Sequence, residues 1–307
     1  MQQRNLFPVR PYFAHGPLDR AAQLRTNPAT LARLRSERSA RFLVYAQRRH
    51  LLSSSACGEG RLARLELADL GLAAADLEQN YWLFMGLEGD APLFGIDLGS
   101  VERAHIKDES LVFAELRPYE FYLERDDAAL AAHVRAMVNW RASHRFCSVC
   151  GAPTTVDQGG YHLMCGNGHE HFPRTDPVVV ILVHHADRVL LAKGTRFPNK
   201  RLMSALSGFV EPAETLEEAV VREAFEEVGI RARYVTYHSS QPWPFPGMLM
   251  MGFLVEAEST DLALDAEEIV EARWLGRDQV KRHEELGFDP PDPHTLAGQL
   301  LLTWMSG

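Results

Sequence analysis

Residues 208–230 read GFVEPAETLEEAVVREAFEEVGI. The middle of this stretch carries its own helix punctuation. Thr215 suits the N-cap, Glu218 stands three residues on as in a capping box, and Gly229 offers the left-handed residue on which helices stop. Leu216, Ala219, Val220 and Ala224 make an apolar side. Glu223, Glu226 and Glu227 fall at i, i+3 and i+4, so their carboxylates share one face. They repel one another and, near a helix C-terminus, oppose the macrodipole. Stability alone would not select this arrangement. Hard oxygen ligands on one face suit Mg²⁺ or Mn²⁺, and such an ion bridges phosphate oxygens, neutralises developing charge and lowers the pKa of an attacking water. Gly208 permits close backbone approach to a ligand, and Arg222 can orient a glutamate. The plainer alternative is a solvated acidic face with scattered basic partners.

Outward from this helix, the flanks read as a second α/β region beginning at Asp176. Val178–Val183 is a nearly continuous β-branched run suited to a buried strand. Val189–Ala192 pairs with it across the Ala186-Asp187 turn, Met248–Val255 reads as another strand, and residues 295–305 as a closing helix. Residues 1–127 read as a smaller N-terminal α/β domain. Asn27 caps a helix that starts at Pro28, Arg41–Tyr45 and Tyr81–Met85 are strands, and Gly89–Pro92 is a turn. This half holds no catalytic constellation and reads as a scaffold or dimerisation domain. Residues 128–143 have helical periodicity, with Leu130, Val134, Met137 and Val138 on one side, and read as a connector helix. Residues 144–174 then form a cysteine-bearing segment, and 175–307 the second domain.

A chain of 307 residues accommodates two domains. Its 46% hydrophobic and 24% charged residues are an ordinary globular mix. A formal net charge of -9 argues against a broad nucleic-acid-binding face while leaving room for a local basic patch. An acidic protein can still take an anionic substrate when a metal ion supplies the positive charge. No apolar run approaches the roughly 18–20 residues of a membrane span, and residues 1–8 lack the apolar core of a signal peptide, so a cytoplasmic address and no membrane partner are expected.

Of the four cysteines, Cys57 stands alone and reads as a plain thiol, whereas Cys147, Cys150 and Cys165 cluster as metal ligands do in a cytosolic chain. Cys147-x2-Cys150 closes a knuckle, with Cys165 placed as in a zinc ribbon. The chain then continues Cys165-Gly166-Asn167-Gly168-His169-Glu170-His171, without a fourth cysteine. A structural zinc takes four ligands, so a Cys3His site with His169 is expected. His171 and His162 are the alternatives, as is a ribbon held by packing without metal. Beyond the acidic helix, Ser240–Pro246 reads SQPWPFP. Prolines interleaved with two aromatics make a stiff apolar loop, able to line a flat ring pocket by stacking or to serve as a rigid turn.

Residues 208–230 resemble a complete Nudix box, G-x5-E-x7-R-E-U-x-E-E-x-G-U with U a bulky aliphatic residue. Gly208, Glu214, Arg222, Glu223, Glu226, Glu227, Gly229 and Ile230 fall on its defined positions, and Ala224 is small where a bulky aliphatic is usual. The SQPWPFP string resembles the signature of the NADH pyrophosphatase (NudC-type) branch. That branch continues with x-Ser, where this chain has Gly247-Met248. The resemblance implies a Nudix α/β/α sandwich with a mixed sheet, preceded by a zinc-ribbon segment and the smaller N-terminal α/β domain. It implies Glu223, Glu226 and Glu227 as ligands of Mg²⁺ or Mn²⁺. Glu268 is a further metal or catalytic residue, with adjacent Glu267 competing for that role. One of the helix glutamates, or a carboxylate from a later loop, activates the water. Gly208, Glu214 and Arg222 support the loop–helix geometry. Phe172 and Phe209 sandwich a base or nicotinamide ring, and Gln241, Trp243, Phe245 and Ala297 complete the substrate site.

The implied reaction is hydrolysis of NADH or NAD⁺ to AMP and nicotinamide mononucleotide, reduced or oxidised. Removal of NAD caps from RNA uses the same bond, with Arg141, Arg145 and Arg174 as a local RNA contact. The implied assembly is a homodimer in which Phe172 completes the partner's pocket. The rival readings are a broader ADP-ribose or dinucleoside polyphosphate hydrolase, and a catalytically inert nucleotide-binding regulator.

Overall fold

The computed structural model describes residues 9, 11–54, 60–71, 81–100, 106, 108–117 and 123–307; Cys57 lies outside them. The chain divides into two compact units. One comprises Met1–Tyr12, Thr175–Trp243 and Met248–Gly307, the other Phe13–Arg174 and Pro244–Gly247. No helix among the described residues is long and apolar enough to cross a membrane.

In the unit containing Phe13–Arg174, α1 (Pro28–Ser36) is capped by Asn27, whose side chain accepts the Thr30 N–H, with Pro28 at the first turn. Strands β1 (Arg41–Ala46), β2 (Arg49–Ser54), β3 (Gly60–Leu62), β4 (Tyr81–Glu88), β5 (Ala91–Asp97) and β6 (Leu111–Glu115) form a mixed sheet in the order β3-β2-β1-β5-β4, with β6 also on β2. Helix α2 spans Arg125–Ser143 and so starts before the expected residue 128. Apolar periodicity begins at Ala128, but Asp126 and Asp127 already sit in the first turn, where acidic side chains suit the helix dipole. Asp127 is buried and accepts from Arg64 at 2.7 Å and from the Leu62 N–H at 2.9 Å. With Ala128, Leu130, Val134, Met137 and Trp140 also buried, α2 is packed into this unit. Strands β7 (Thr154–Asp157), β8 (His162–Cys165) and β9 (Glu170–His171) make the small antiparallel sheet of the ribbon.

The other unit is built on β10 (Asp176–His185), β11 (Arg188–Gly194), β12 (Leu206–Phe209), β13 (Ala232–Trp243), β14 (Met248–Ala257) and β15 (Ile269–Gly276), in the order β13-β14-β10-β11-β15 with β12 also on β10. β10 runs parallel to β14 and antiparallel to β11 and β12, a mixed sheet. Alternation along β10 explains its unbroken apolar run. Val179, Ile181 and Val183 pack with Ala219, Val220, Ala224 and Val228 of α3 (Leu216–Val228). Val180 and Leu182 pack with Val280 of the short α4 (Arg277–Lys281) and with Leu296, Leu300 and Trp304 of α5 (Leu296–Ser306). The sheet is therefore covered on both faces, as an α/β/α sandwich. Ala224 is fully buried, so its small side chain sits in the core.

The expected stiff loop at Ser240–Pro246 is largely strand. Ser240, Gln241, Pro242 and Trp243 pair with Met251, Met250, Leu249 and Met248, and only Pro244–Gly247 turns the chain. Proline cannot donate to a ladder, but β13 is an edge strand, where that loss is tolerated.

Candidate active site and metal centre

Helix α3 is anchored at both ends. Thr215 accepts the Glu218 N–H at 3.2 Å while Glu218 accepts the Thr215 N–H at 2.8 Å. Gly229 ends the helix at φ 74°, donating to Phe225 O at 2.8 Å. The frame so fixed carries the glutamates. Arg222 joins them to the preceding loop, with Nε and Nη2 donating to the two oxygens of Glu214 at 2.7 and 2.8 Å, a bidentate pair. Its Nη1 donates to Glu223 at 2.8 Å and Glu226 at 3.0 Å, and Nη2 also to Phe209 O at 3.0 Å. The Arg222 guanidinium holds the Glu214 carboxyl down to about 2.

The carboxylates differ sharply in setting. Glu226 is exposed, whereas Glu223 and Glu227 are buried. Burial, followed by the charge of Glu223, pushes Glu227 up to about 8, against the pull of the Ser207 N–H. Burial also raises Glu223, opposed by Arg222. The charge of Glu268 raises both. Its loop is tied to the end of α3 because the Asp265 N–H donates to Glu227 O at 3.0 Å. Asp265 then turns the chain, its side chain accepting the Glu267 N–H at 2.9 Å. Thr195 holds the other side, donating its N–H to Glu268 O at 2.8 Å and its hydroxyl to Glu267 O at 3.0 Å. Ser207, Asp265 and Thr195 were not among the residues singled out in the sequence. Only the Asp-Ala-Glu-Glu turn left a local trace of this tethering.

Hard carboxylate oxygens, with Glu227 raised first by burial and then by the charge of Glu223, fit a divalent cation, which would relieve both. Gly208, paired with Val179 on β10, lies against the Glu223 carboxylate. The aromatic and polar candidates fall in distinct settings. Phe209 and Phe172 are 59% and 63% exposed, whereas Trp243 and Gln241 are buried. Gln241 Nε2 donates to Tyr12 O at 3.0 Å and His294 O at 2.7 Å. Ala297 lies partly buried on α5 against its core. Phe245 groups with Phe13–Arg174, its ring within 4.4 and 4.8 Å of the Arg117 and Arg135 guanidiniums, while Arg135 Nε donates to Pro244 O at 3.0 Å.

In the ribbon, the ligand atoms of Cys147, Cys150, Cys165 and His169 all lie within 4.8 Å of one another. His169 Nδ1 is 3.5 Å from both Cys147 Sγ and Cys165 Sγ, and Cys150 Sγ is 3.8 Å from Cys165 Sγ. The edges of a zinc tetrahedron with ordinary bond lengths are about 3.5 Å for N–S and about 3.8 Å for S–S, so this donor set fits that ion. The Ala152 N–H, the Asn167 amide and His169 bring the Cys150 thiol down to about 6, favouring the ligating thiolate. His171 and His162 stand outside the group.

Three family models cover most of the chain. A NUDIX domain matches residues 173–297, an NADH pyrophosphatase-like rudimentary NUDIX domain 39–140, and an NADH pyrophosphatase zinc ribbon domain 142–172. Among curated relatives, the NAD-capped RNA hydrolase NUDT12 of Homo sapiens is 31% identical over 96% of this chain and 73% of its own length. The Macaca fascicularis protein of the same name is 32% identical over the same shares. The NAD-capped RNA hydrolase NudC of Citrobacter koseri is 37% identical over 56% of this chain and 64% of its own. With its box running from β12 through α3, its ribbon and the rudimentary domain in the same order, the chain belongs to the NADH pyrophosphatase (NudC-type) branch of the Nudix superfamily and is a hydrolase of phosphoric anhydrides.

Proposed function

We propose that this enzyme hydrolyses the pyrophosphate linkage of NADH and NAD⁺ to AMP and nicotinamide mononucleotide, reduced or oxidised, and removes NAD caps from RNA. The observation that carries the reading is the buried carboxylate set of Glu223 and Glu227, faced by the charge of Glu268, in a chain of this branch. Glu223, Glu226, Glu227 and Glu268 are the proposed ligands of Mg²⁺ or Mn²⁺. The bound cation supplies charge neutralisation at the phosphates and a lowered pKa for the attacking water.

The chain's own groups do the rest. Arg222 fixes the directions of Glu223 and Glu226, and Glu214 fixes Arg222. The Ser207 N–H holds the Glu227 carboxylate. The water's oxygen bonds to one phosphorus as the bridging P–O bond breaks, and its proton passes to a carboxylate of this set. Gly208 leaves the room that this requires. Phe209 and Phe172 each offer an exposed ring for stacking on a base or nicotinamide, and Gln241, Trp243, Phe245 and Ala297 shape the substrate's surroundings. A zinc ion on Cys147, Cys150, Cys165 and His169 stabilises the ribbon. The assembly is a homodimer, with Phe172 of one protomer serving the other's site, and its compartment is the cytoplasm.

Product analysis tests the substrate. Incubated with NADH and Mg²⁺ or Mn²⁺, the enzyme yields AMP and reduced nicotinamide mononucleotide, and chelator stops it. Faster turnover of ADP-ribose or diadenosine polyphosphates than of NADH and NAD⁺ would select the broader hydrolase instead. Tight NADH binding without metal-dependent cleavage would select an inert regulator.

A further inference from the structure

His162 is buried to 1% exposure in the middle of the ribbon yet takes no part in the Cys3His group. It begins β8 opposite Asp157 of β7. Met164, two residues on, pairs with Glu170 of β9, which brings the Glu170 side chain to the same face. The imidazole therefore sits between two carboxylates, with Nε2 at 3.2 Å from Glu170 and Nδ1 at 3.7 Å from Asp157, neither in hydrogen-bond geometry. Its close-packed burial leaves the imidazole little room to turn.

Above that ring lies Phe172, with centroids 5.2 Å apart and planes inclined by 33°. The backbone does not fix Phe172, since the last paired residue of β9 is His171, opposite Leu163, and Pro173 follows. A 63%-exposed ring at a strand end would otherwise sample several rotamers. One face of Phe172 rests on His162 and the other is available.

We propose that His162 is a positioning residue, the aromatic floor that presets the Phe172 ring for stacking on the substrate's ring. The inference rests on the proposed stacking role of Phe172. A preset ring loses less freedom on binding, so His162 acts on substrate affinity and leaves the hydrolytic step alone.

Steady-state kinetics of the full-length zinc-loaded enzyme with NADH test this in a mutant cycle. His162→Ala is expected to raise KM about three- to tenfold, the size of an aromatic pair contact, with kcat within about twofold. In a Phe172→Ala background the same substitution should change nothing further, and His162→Phe should restore the KM. A KM unchanged by His162→Ala while Phe172→Ala raises it, or equal effects of His162→Ala in both backgrounds, overturns the floor. A normal KM in Phe172→Ala overturns the stacking role itself, and the floor with it. If His162→Ala releases zinc, the comparison passes to His162→Phe and His162→Leu. A near-wild-type KM in the first and a raised one in the second supports the floor, and equal values overturn it.

Discussion

Gly208 and Glu223 are in obligatory apposition, because a Cβ at position 208 would stand 1.9 Å from the Glu223 carboxyl carbon and Oε1. Real Cβ contacts never approach so closely, so any other residue at 208 displaces the carboxylate. Gly208→Ala is expected to lower kcat/KM for NADH at least about 10-fold, since misplacing a positioned group is costly even at the ångström scale. Circular dichroism should remain close to wild type. Full activity in the variant would remove Glu223 from the working geometry.

Glu227 ties activity to stability. Glu227→Gln is expected to fold and yet lose at least about 100-fold in turnover, as when a major charge-stabilising group is removed. The metal-free protein should show the linkage directly. The folded-state pKa is raised from 4.5 to about 8 by burial and by Glu223. A raised carboxylate contributes stability that is fully present below about pH 4.5 and is lost as pH climbs through about 8. Thermal unfolding in chelator should therefore show wild type losing ground to Glu227→Gln across that window, with Mg²⁺ restoring wild type most at the alkaline end. Parallel pH profiles for the two proteins would contradict this.

Metal analysis decides the ribbon. His169→Ala is expected to bring bound zinc well below one per chain and to lower the ribbon's thermal stability, while His171→Ala retains zinc. Zinc unaffected by the loss of His169 would sink the Cys3His assignment.

Ala213 holds φ 68° in the exposed loop before α3. The left-handed region costs an L-residue about 1–2 kcal/mol, part of which glycine returns through its freer unfolded chain. Ala213→Gly is thus expected to stabilise by up to about 1 kcal/mol, read as a Tm increase of about 2–4 °C. A lower Tm would mean that the methyl group makes a contact worth more than the strain.

Local chemistry made much of the fold legible. The caps at Asn27, Thr215 and Gly229, and the unbroken run of β10, are written in short stretches whose hydrogen bonds and periodicity need no distant partner. The spacing of Glu223, Glu226 and Glu227 is likewise a property of one helix, and the three cysteines with His169 lie within one small ribbon. What stayed hidden depends on pairing. Pro242 reads as loop until β13 proves to be an edge strand, where a missing N–H goes unused. The early start of α2 depends on Arg64, distant in sequence, neutralising Asp127.

Residue type and spacing along single chain segments were enough to reveal the branch, the helix of glutamates and the three clustered cysteines, while leaving His169, His171 and His162 open as the fourth partner. The folded arrangement alone reveals which carboxylates are buried, that the Asp265 turn carries Glu268 to the end of α3, that His169 joins the cysteines, and that Gly208 lies against Glu223. Desolvation and Coulomb repulsion depend on distances between segments remote in sequence, and no reading of one segment contains them.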